Sequence, residues 1–489
     1  MNDKFDELAK GLTQSVMRGL LWLVVAAQFA RLACASDFRR GPLIGLSDPD
    51  PLANCPGGLG FVPGSAQEEP SLAVNPANPK NIVAAWIGGS AKGIVTAVTF
   101  DGGKRWQQVV IPGVNECSGG AFFGAVDPWV SFAPNGATYV VSLALYAGTA
   151  IGINKSNDGG LHWSEPIIVD ANTDPRFSPD KPSITADATD SHYVYAAWEQ
   201  RANGNRRFIG FARTTDGGVT WEPQRRIVDL GNSDEAQDAQ ILVMPDGTLV
   251  CVFVEVLFHN ANGGDQKEAV LAVIRSTDKG LNWSAPVTGP RVPIFQATDP
   301  DNGVPYVNQN SYPPAVSALA IDPRNGNLYV AFEDTHFSGG QYADIAFTTS
   351  SDRGSTWSVP IPVNKAPTSI PAANRQAFIP TIAVASDGTI GVAYYDFRFN
   401  DASSGLLTDY WLVHCHPSAT TPATNPGSWS SETRLTDVAF DLESALNLFG
   451  SYFLGDYMGL ATAGNDFVAV FNQSFLSDPG SIFFRRVGP

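Results

Sequence analysis

Positive charge is what this sequence has least of. Lysine and arginine number 31 against 48 aspartates and glutamates, for a net charge of −17. Such a surface repels phosphate backbones and anionic lipid headgroups, which argues against nucleic-acid or membrane-surface partners. An anionic ligand would need a local basic cluster set against that field. Histidine is also scarce, at 6. His414 and His416 flank Cys415 on alternate positions of a strand, and no metal site or cofactor is expected from them. Nucleotide-binding loops and Ser-His-Asp signatures are absent. Charged residues make up only 16% of the chain and hydrophobic ones 44%, too apolar for disorder and ample for a large core.

Long apolar runs are missing as well. Gly19 to Ala30 (GLLWLVVAAQFA) has the length of a leader's apolar region and is too short to span a bilayer. Arg18 precedes it, and Ala33-Cys34-Ala35 offers a cleavage site. Residues 1–35 are therefore read as an export leader, with Met17 as an alternative start, and 36–489 as one secreted domain. Cleavage leaves Cys55, Cys117, Cys251 and Cys415, which allow three disulfide connectivities in an oxidising compartment. Cys251 lies in an apolar strand (TLVCVFVEV) and reads as a buried thiol.

Turn formers and aromatics are plentiful, with 47 Gly, 35 Pro, 11 Trp and 28 Phe. That balance favours many short strands over helices. One octamer recurs, Ser/Thr-x-Asp-x-Gly-x-x-Trp, centred on Asp101, Asp158, Asp216, Asp278 and Asp352. Successive aspartates are 57, 58, 62 and 74 residues apart. Asn425-Pro426-Gly427-Ser428-Trp429 reads as a sixth copy without its aspartate. The aspartate can accept backbone N–H bonds in a tight turn, the glycine supplies positive φ, and the tryptophan leaves the turn to pack between sheets. The five aspartates are read as structural.

Hairpin patterns surround the octamers at 69–86, 127–145, 181–200, 238–256, 314–334, 378–398 and 455–473. Four-stranded units of this length stacked radially make an all-β propeller of antiparallel blades. Seven blades are expected, with six as the alternative. The seventh lacks an octamer and a fourth strand, which Gly41 to Leu46 could supply.

This topology puts the octamers on one rim and the inner-strand starts on the other. The long loop from Ala285 to Tyr312 belongs to the second rim, where function is expected. Cys55 and Cys117 also precede blades one and two there, which favours their pairing. Polar residues collect at this level in every blade: Glu68, Glu69, Asp127, Asp180, Lys181, Glu199, Arg201, Asp238, Glu255, His259, Glu333, Asp334, His336, Arg375, Tyr395, Asp396, Arg398, Asp456 and Tyr457. Carboxylates crowded in a pit shift one another's pKa, which suits acid–base work.

The octamer is the Asp-box, and over roughly residues 40–489 the chain resembles the sialidase (neuraminidase) superfamily. Sialidases hold a substrate carboxylate with three arginines, the first in a Phe/Tyr-Arg-Ile-Pro motif, and use a Tyr–Glu pair and an Asp. Phe378-Ile379-Pro380, with Gly388 and Arg398, looks similar, but Phe378 stands where the arginine belongs. Blade one offers Glu69-Pro70-Ser71, again without arginine, so the triad does not carry over. The resemblance implies a sialidase-like glycoside hydrolase acting on terminal sugars of extracellular glycans, expected as a monomer. Glu199, Glu255, Asp396 and Tyr395 are the catalytic candidates. Lys181, Arg201, His259, His336, Arg375 and Arg398 are the substrate-binding ones. A lyase on uronate-containing glycans, with His259 or His336 as base and Tyr395 as acid, and a non-catalytic carbohydrate-binding propeller remain open.

Overall fold

The computed structural model describes residues 38–58, 66–202, 206–231, 234–258, 266–292, 297–303, 318–401, 405–430, 432–448 and 450–489. The expected leader at 1–35, His259 and much of the 285–312 loop lie outside these residues.

Seven antiparallel blades follow one another along the chain, with a two-stranded sheet of Leu446–Leu448 and Ser451–Phe453 between the last two. Blade one runs Glu68–Val74, Ile82–Gly88, Gly93–Thr99, Gln107–Val110, and blade two Gly124–Phe132, Thr138–Leu145, Thr149–Ser156, Ile167–Asn172. Blade three is Pro179–Ala186, Val194–Arg201, Arg207–Thr214, Arg225–Val228, and blade four Asp234–Val243, Leu249–Phe258, Gln266–Ser276, Val287–Val292. Blade five is Ala318–Ile321, Leu328–Asp334, Asp344–Ser350, Ile361–Pro362, and blade six Ala377–Val384, Ile390–Asp396, Leu407–Cys415, Thr433–Arg434. Blade seven holds Gly459–Ala463, Asp466–Phe475 and Asp478–Gly488. Its outer place is taken by Ile44–Gly45, with Ile44 opposite Phe484 and Gly45 opposite Phe483. The inner strands contact one another in a closed cycle from blade one to seven and back. The count is seven, not six.

The octamers explain how neighbouring blades are fastened. In blade three, Asp216 Oδ1 accepts from the Thr214 hydroxyl (2.7 Å) and from the backbone N–H of Val219 and Thr220 (2.9 Å each). The Thr214 hydroxyl in turn accepts from Gly218 N (2.9 Å). Asp101, Asp158, Asp278 and Asp352 anchor their turns in the same way. Gly218 has φ 83°, and a Cβ there would stand 2.8 Å from the Tyr139 ring of the preceding blade. Glycine is thus required both by the backbone and by the close approach.

Each octamer tryptophan packs backwards onto the blade before it. Trp106 meets Phe484 at 4.9 Å between ring centroids, and Trp283 meets Phe211 at 5.6 Å. The aspartate-free sixth copy keeps this function. Asn425 Oδ1 accepts from Gly427 N (2.9 Å), and buried Trp429 meets Phe347 of blade five at 4.9 Å. Apolar cores accordingly lie between blades, as in the cluster joining blades five and six.

Cys55 and Cys117 form a disulfide, with Cα atoms 5.9 Å apart. Cys251 and Cys415 are buried and form no disulfide.

If the tryptophan carries the turn's fastening energy, Trp429→Ala costs about 3–5 kcal/mol, as for other large buried aromatics. Asn425→Ala costs about 1 kcal/mol, the worth of one capping acceptor. Calorimetric unfolding of the two variants measures both, and an equal loss would contradict this division.

Candidate active site on the propeller axis

The inner strands are not regular. Those of blades one, two, three, four and six slip register between Glu68 and Ser71, Val126 and Trp129, Asp180 and Ser183, Gln237 and Gln240, and Phe378 and Thr381. In each slip one non-glycine residue takes positive φ: Glu69 (54°), Asp127 (54°), Lys181 (46°), Asp238 (54°) and Ile379 (48°). Such backbone costs on the order of 1–3 kcal/mol per residue and persists only where its surroundings enforce it. Proline follows four of the five, as Pro70, Pro128, Pro182 and Pro380. A proline lacks an N–H to lose at a bulge and steers the preceding residue out of the right-handed helical region.

The bulges redirect side chains, and four of the five are charged. Carboxylates cap N–H groups across blade boundaries. Asp127 Oδ2 accepts from Lys181 N (3.3 Å), Glu333 Oε1 from Ile379 N (3.0 Å) and Glu69 Oε1 from Asp456 N (3.4 Å). Asp456 leads into blade seven, and its carboxylate is ion-paired with Lys181 Nζ. Glu69, Asp127, Lys181, Asp238 and Asp456 therefore meet at the inner-strand starts, on the rim opposite the octamer turns.

Electrostatics divides these carboxyls into protonated and ionised members. Burial, followed by the charges of Asp127 and Asp456, pushes the Glu69 pKa well above its ordinary range. Burial, with Asp180 adding to it, raises Asp127 to about 7. Asp238 rises to about 6, again chiefly by burial, with Lys181 restraining the shift. Glu68 reaches about 8 through burial and the charge of Asp456. Lys181 goes the other way from a lone buried lysine. Burial opposes its charge, but Asp456, Asp238, Asp180 and Asp127 together raise its pKa. The site thus sets buried carboxyls of raised pKa beside a carboxylate ion-paired with Lys181, the elements of acid–base chemistry.

Beneath this ring is a cavity of about 100 Å³ lined by Ser71, Trp129, Gln240, Thr381, Tyr457 and Met458 among others. Trp129 and Tyr457 lie 5.1 Å apart between centroids, and the Tyr457 hydroxyl donates to Pro128 O (2.9 Å). No group of three or more His, Cys, Asp or Glu among the described residues is placed to hold a metal ion.

Of the residues singled out from sequence, Lys181 is in this ring and Glu199 borders it. Glu199 lies opposite Asp180, buried and ion-paired with Arg207, which also reaches Glu235 Oε2 at 3.4 Å. Burial raises Glu199 to about 8 even so. Glu255 stands apart, half-buried opposite Ala236 in blade four. Tyr395 is fully buried, and its hydroxyl donates to Asn472 O (2.7 Å). Asp396 accepts from Trp411 Nε1 (3.0 Å) and Arg398 Nε (2.7 Å), while Arg398 also pairs with Glu432 and lies 3.8 Å over the Trp411 ring. These three groups satisfy one another inside blade six. Arg375 donates to Ile370 O (3.3 Å) and Tyr342 Oη (3.2 Å), His336 is exposed against Phe337, and Arg201 is exposed near Glu235. Glu69, Asp127, Asp238 and Asp456 were visible as polar strand starts but not as a set. Their signal is the repeated step of charged residue then proline, at Glu69-Pro70, Asp127-Pro128 and Lys181-Pro182.

No family model and no curated protein matches the chain. Solved structures similar to it include a Dyadobacter fermentans protein of unknown function, at 12% identity over 93% of this chain and 100% of that one, TM-score 0.45. An α-L-arabinanase from Penicillium chrysogenum, complexed with arabinobiose, is similar at 12% identity over 92% and 98%, TM-score 0.47. A Hadza microbial sialidase is similar at 14% identity over 85% and 75%, TM-score 0.46.

The buried carboxyls make a stability prediction. Glu68, Asp127 and Glu199 stay protonated in the fold to about 7 or 8, whereas unfolded carboxyls ionise near pH 4. Between those limits the folded chain binds more protons, so stability falls as pH rises from about 4 to 8. The octamer aspartates act oppositely. Backbone and side-chain donors lower Asp278 and Asp352 to about 2, and their contribution, present above about pH 4, is lost as pH falls towards 2. Calorimetry is expected to show the Tm falling from pH 5 to 8, and less steeply in Glu68→Gln. A Tm that climbs over that range would refute the assignment.

Proposed function

We propose that the protein is a glycoside hydrolase working at the axial carboxyl cluster. The carrying observation is the buried Glu69–Asp127 pair, both with raised pKa, beside the Asp456 carboxylate paired with Lys181. Glycosidic bond cleavage needs one carboxyl to protonate the leaving oxygen and one carboxylate to stabilise the oxocarbenium-like centre or activate water. The Glu69–Asp127 pair supplies the acid, and Asp456 is the partner carboxylate. Trp129 and Tyr457 offer partly exposed ring surface at the same level.

Two features support extracellular glycans as the setting. The apolar stretch Gly19 to Ala30 with its Ala-x-Ala site reads as an export leader. The Cys55–Cys117 disulfide suits an oxidising compartment. A uronate lyase gains nothing from Tyr395, whose hydroxyl is committed to a backbone carbonyl inside the sheet.

The test is release of reducing sugar from chromogenic glycosides and oligosaccharides by the mature chain. Asp127→Asn is expected to lower kcat by about 100-fold or more, the range of a lost general acid, with the Tm within a few degrees of the parent. If Asp127→Asn and Glu69→Gln both keep the full rate, the carboxyls only cap bulges and the assignment fails.

A further inference from the structure

We infer that the axial site accepts a neutral sugar and excludes sugars that carry a carboxylate. The inference rests on the hydrolase reading above and names its substrate class. It follows from the charges that converge on the axis. The cations acting on the ring carboxyls are Lys181 and Arg207. Lys181 is already paired with Asp456, and Arg207 with Glu199 and Glu235. Arg398 is held by Asp396 and Glu432 inside blade six, and Arg375 by carbonyls of its own loop. Arg201 is exposed at the end of the second strand of blade three, where its charge acts on Glu235.

Among the described residues, every lysine or arginine that acts on the ring carboxyls already holds a carboxylate, which leaves none of these cations to meet a ligand carboxylate there. The ring's own behaviour sets the sign of the penalty. It raises the pKa of Glu68 and Glu69 partly through the charge of Asp456, so a further negative charge is already unfavourable there. A substrate carboxylate would meet the same repulsion and the same desolvation, with no donor in exchange. A neutral ring meets neither. It can lie against Trp129 and Tyr457 while its hydroxyls bond the carboxyls.

Calorimetric titration and turnover assays with two sets of probes decide the matter. Arabinotriose, xylotriose and cellotriose are the neutral set; 3′-sialyllactose and trigalacturonate are the anionic one. At least one neutral probe is expected to bind about tenfold or more tighter than either anionic probe, one pKa unit's worth of interaction. Asp238→Asn, which removes one ring charge, is expected to narrow that gap. Hydrolysis or tighter binding of an anionic probe overturns the neutral-sugar inference and leaves the hydrolase reading standing. A neutral probe that binds without being cut sinks the hydrolase reading and leaves this one. Binding of no probe of either set overturns both.

Discussion

When a strand gives up ladder positions at a bulge, the backbone N–H groups it frees must find acceptors. On the axis of this propeller the acceptors are carboxylates from the adjacent blade. Asp127 serves the bulge at Lys181, and Glu333 serves the one at Ile379. The same residues that satisfy the backbone thereby become the lining of the axis. Positive φ at Glu69, Asp127, Lys181 and Asp238 fixes where these side chains stand. Fold and site share one constraint here, because a side chain placed by strained backbone is preorganised without help from a ligand.

The two rims divide the labour. On one, exposed aspartates with many donors make turns, and their negative charge is stabilised by the N–H groups they accept. On the other, buried carboxyls have few donors and keep their protons. Glu68 Oε1, Asp238 Oδ1 and Glu199 Oε2 are buried with no hydrogen-bond partner. Such groups cost free energy, and the tryptophans packed between blades provide the rigidity against which they are held. One residue type thus has opposite acid–base character at the two ends of a blade. Solvent exposure and donor number account for the difference.

The architecture was legible because its signals are local. The octamer sits within eight residues, its spacing counts blades, and hairpins alternate at fixed distance. The site was legible only in part. Glu199, Glu255, Tyr395 and Asp396 were chosen as polar groups near strand ends, a sound guide to the rim but blind to which way a side chain leaves the sheet. Asp396 and Arg398 stand two apart in sequence, and they neutralise each other rather than face a ligand. Tyr395 sits in a strand buried on both faces. Glu69 and Asp127 come together through bulges, and a slip in register leaves no mark on hydrophobic alternation. The proline after each of them marks it instead, a cue that gains meaning only once the inner strands are aligned.

The two buried thiols outside the disulfide have a consequence for how the chain must mature. Cys251 and Cys415 are sealed in blades four and six, where burial disfavours the thiolate of Cys251. Exchange with a disulfide proceeds through a thiolate, so sealed thiols are inert towards the Cys55–Cys117 bond. Before those blades close, the Cys251 and Cys415 sulfurs are open to the same exchange. Correct pairing is therefore a race in which packing of the two central strands must outrun oxidation, and slower packing would be read out as scrambled linkages rather than as a weaker native state.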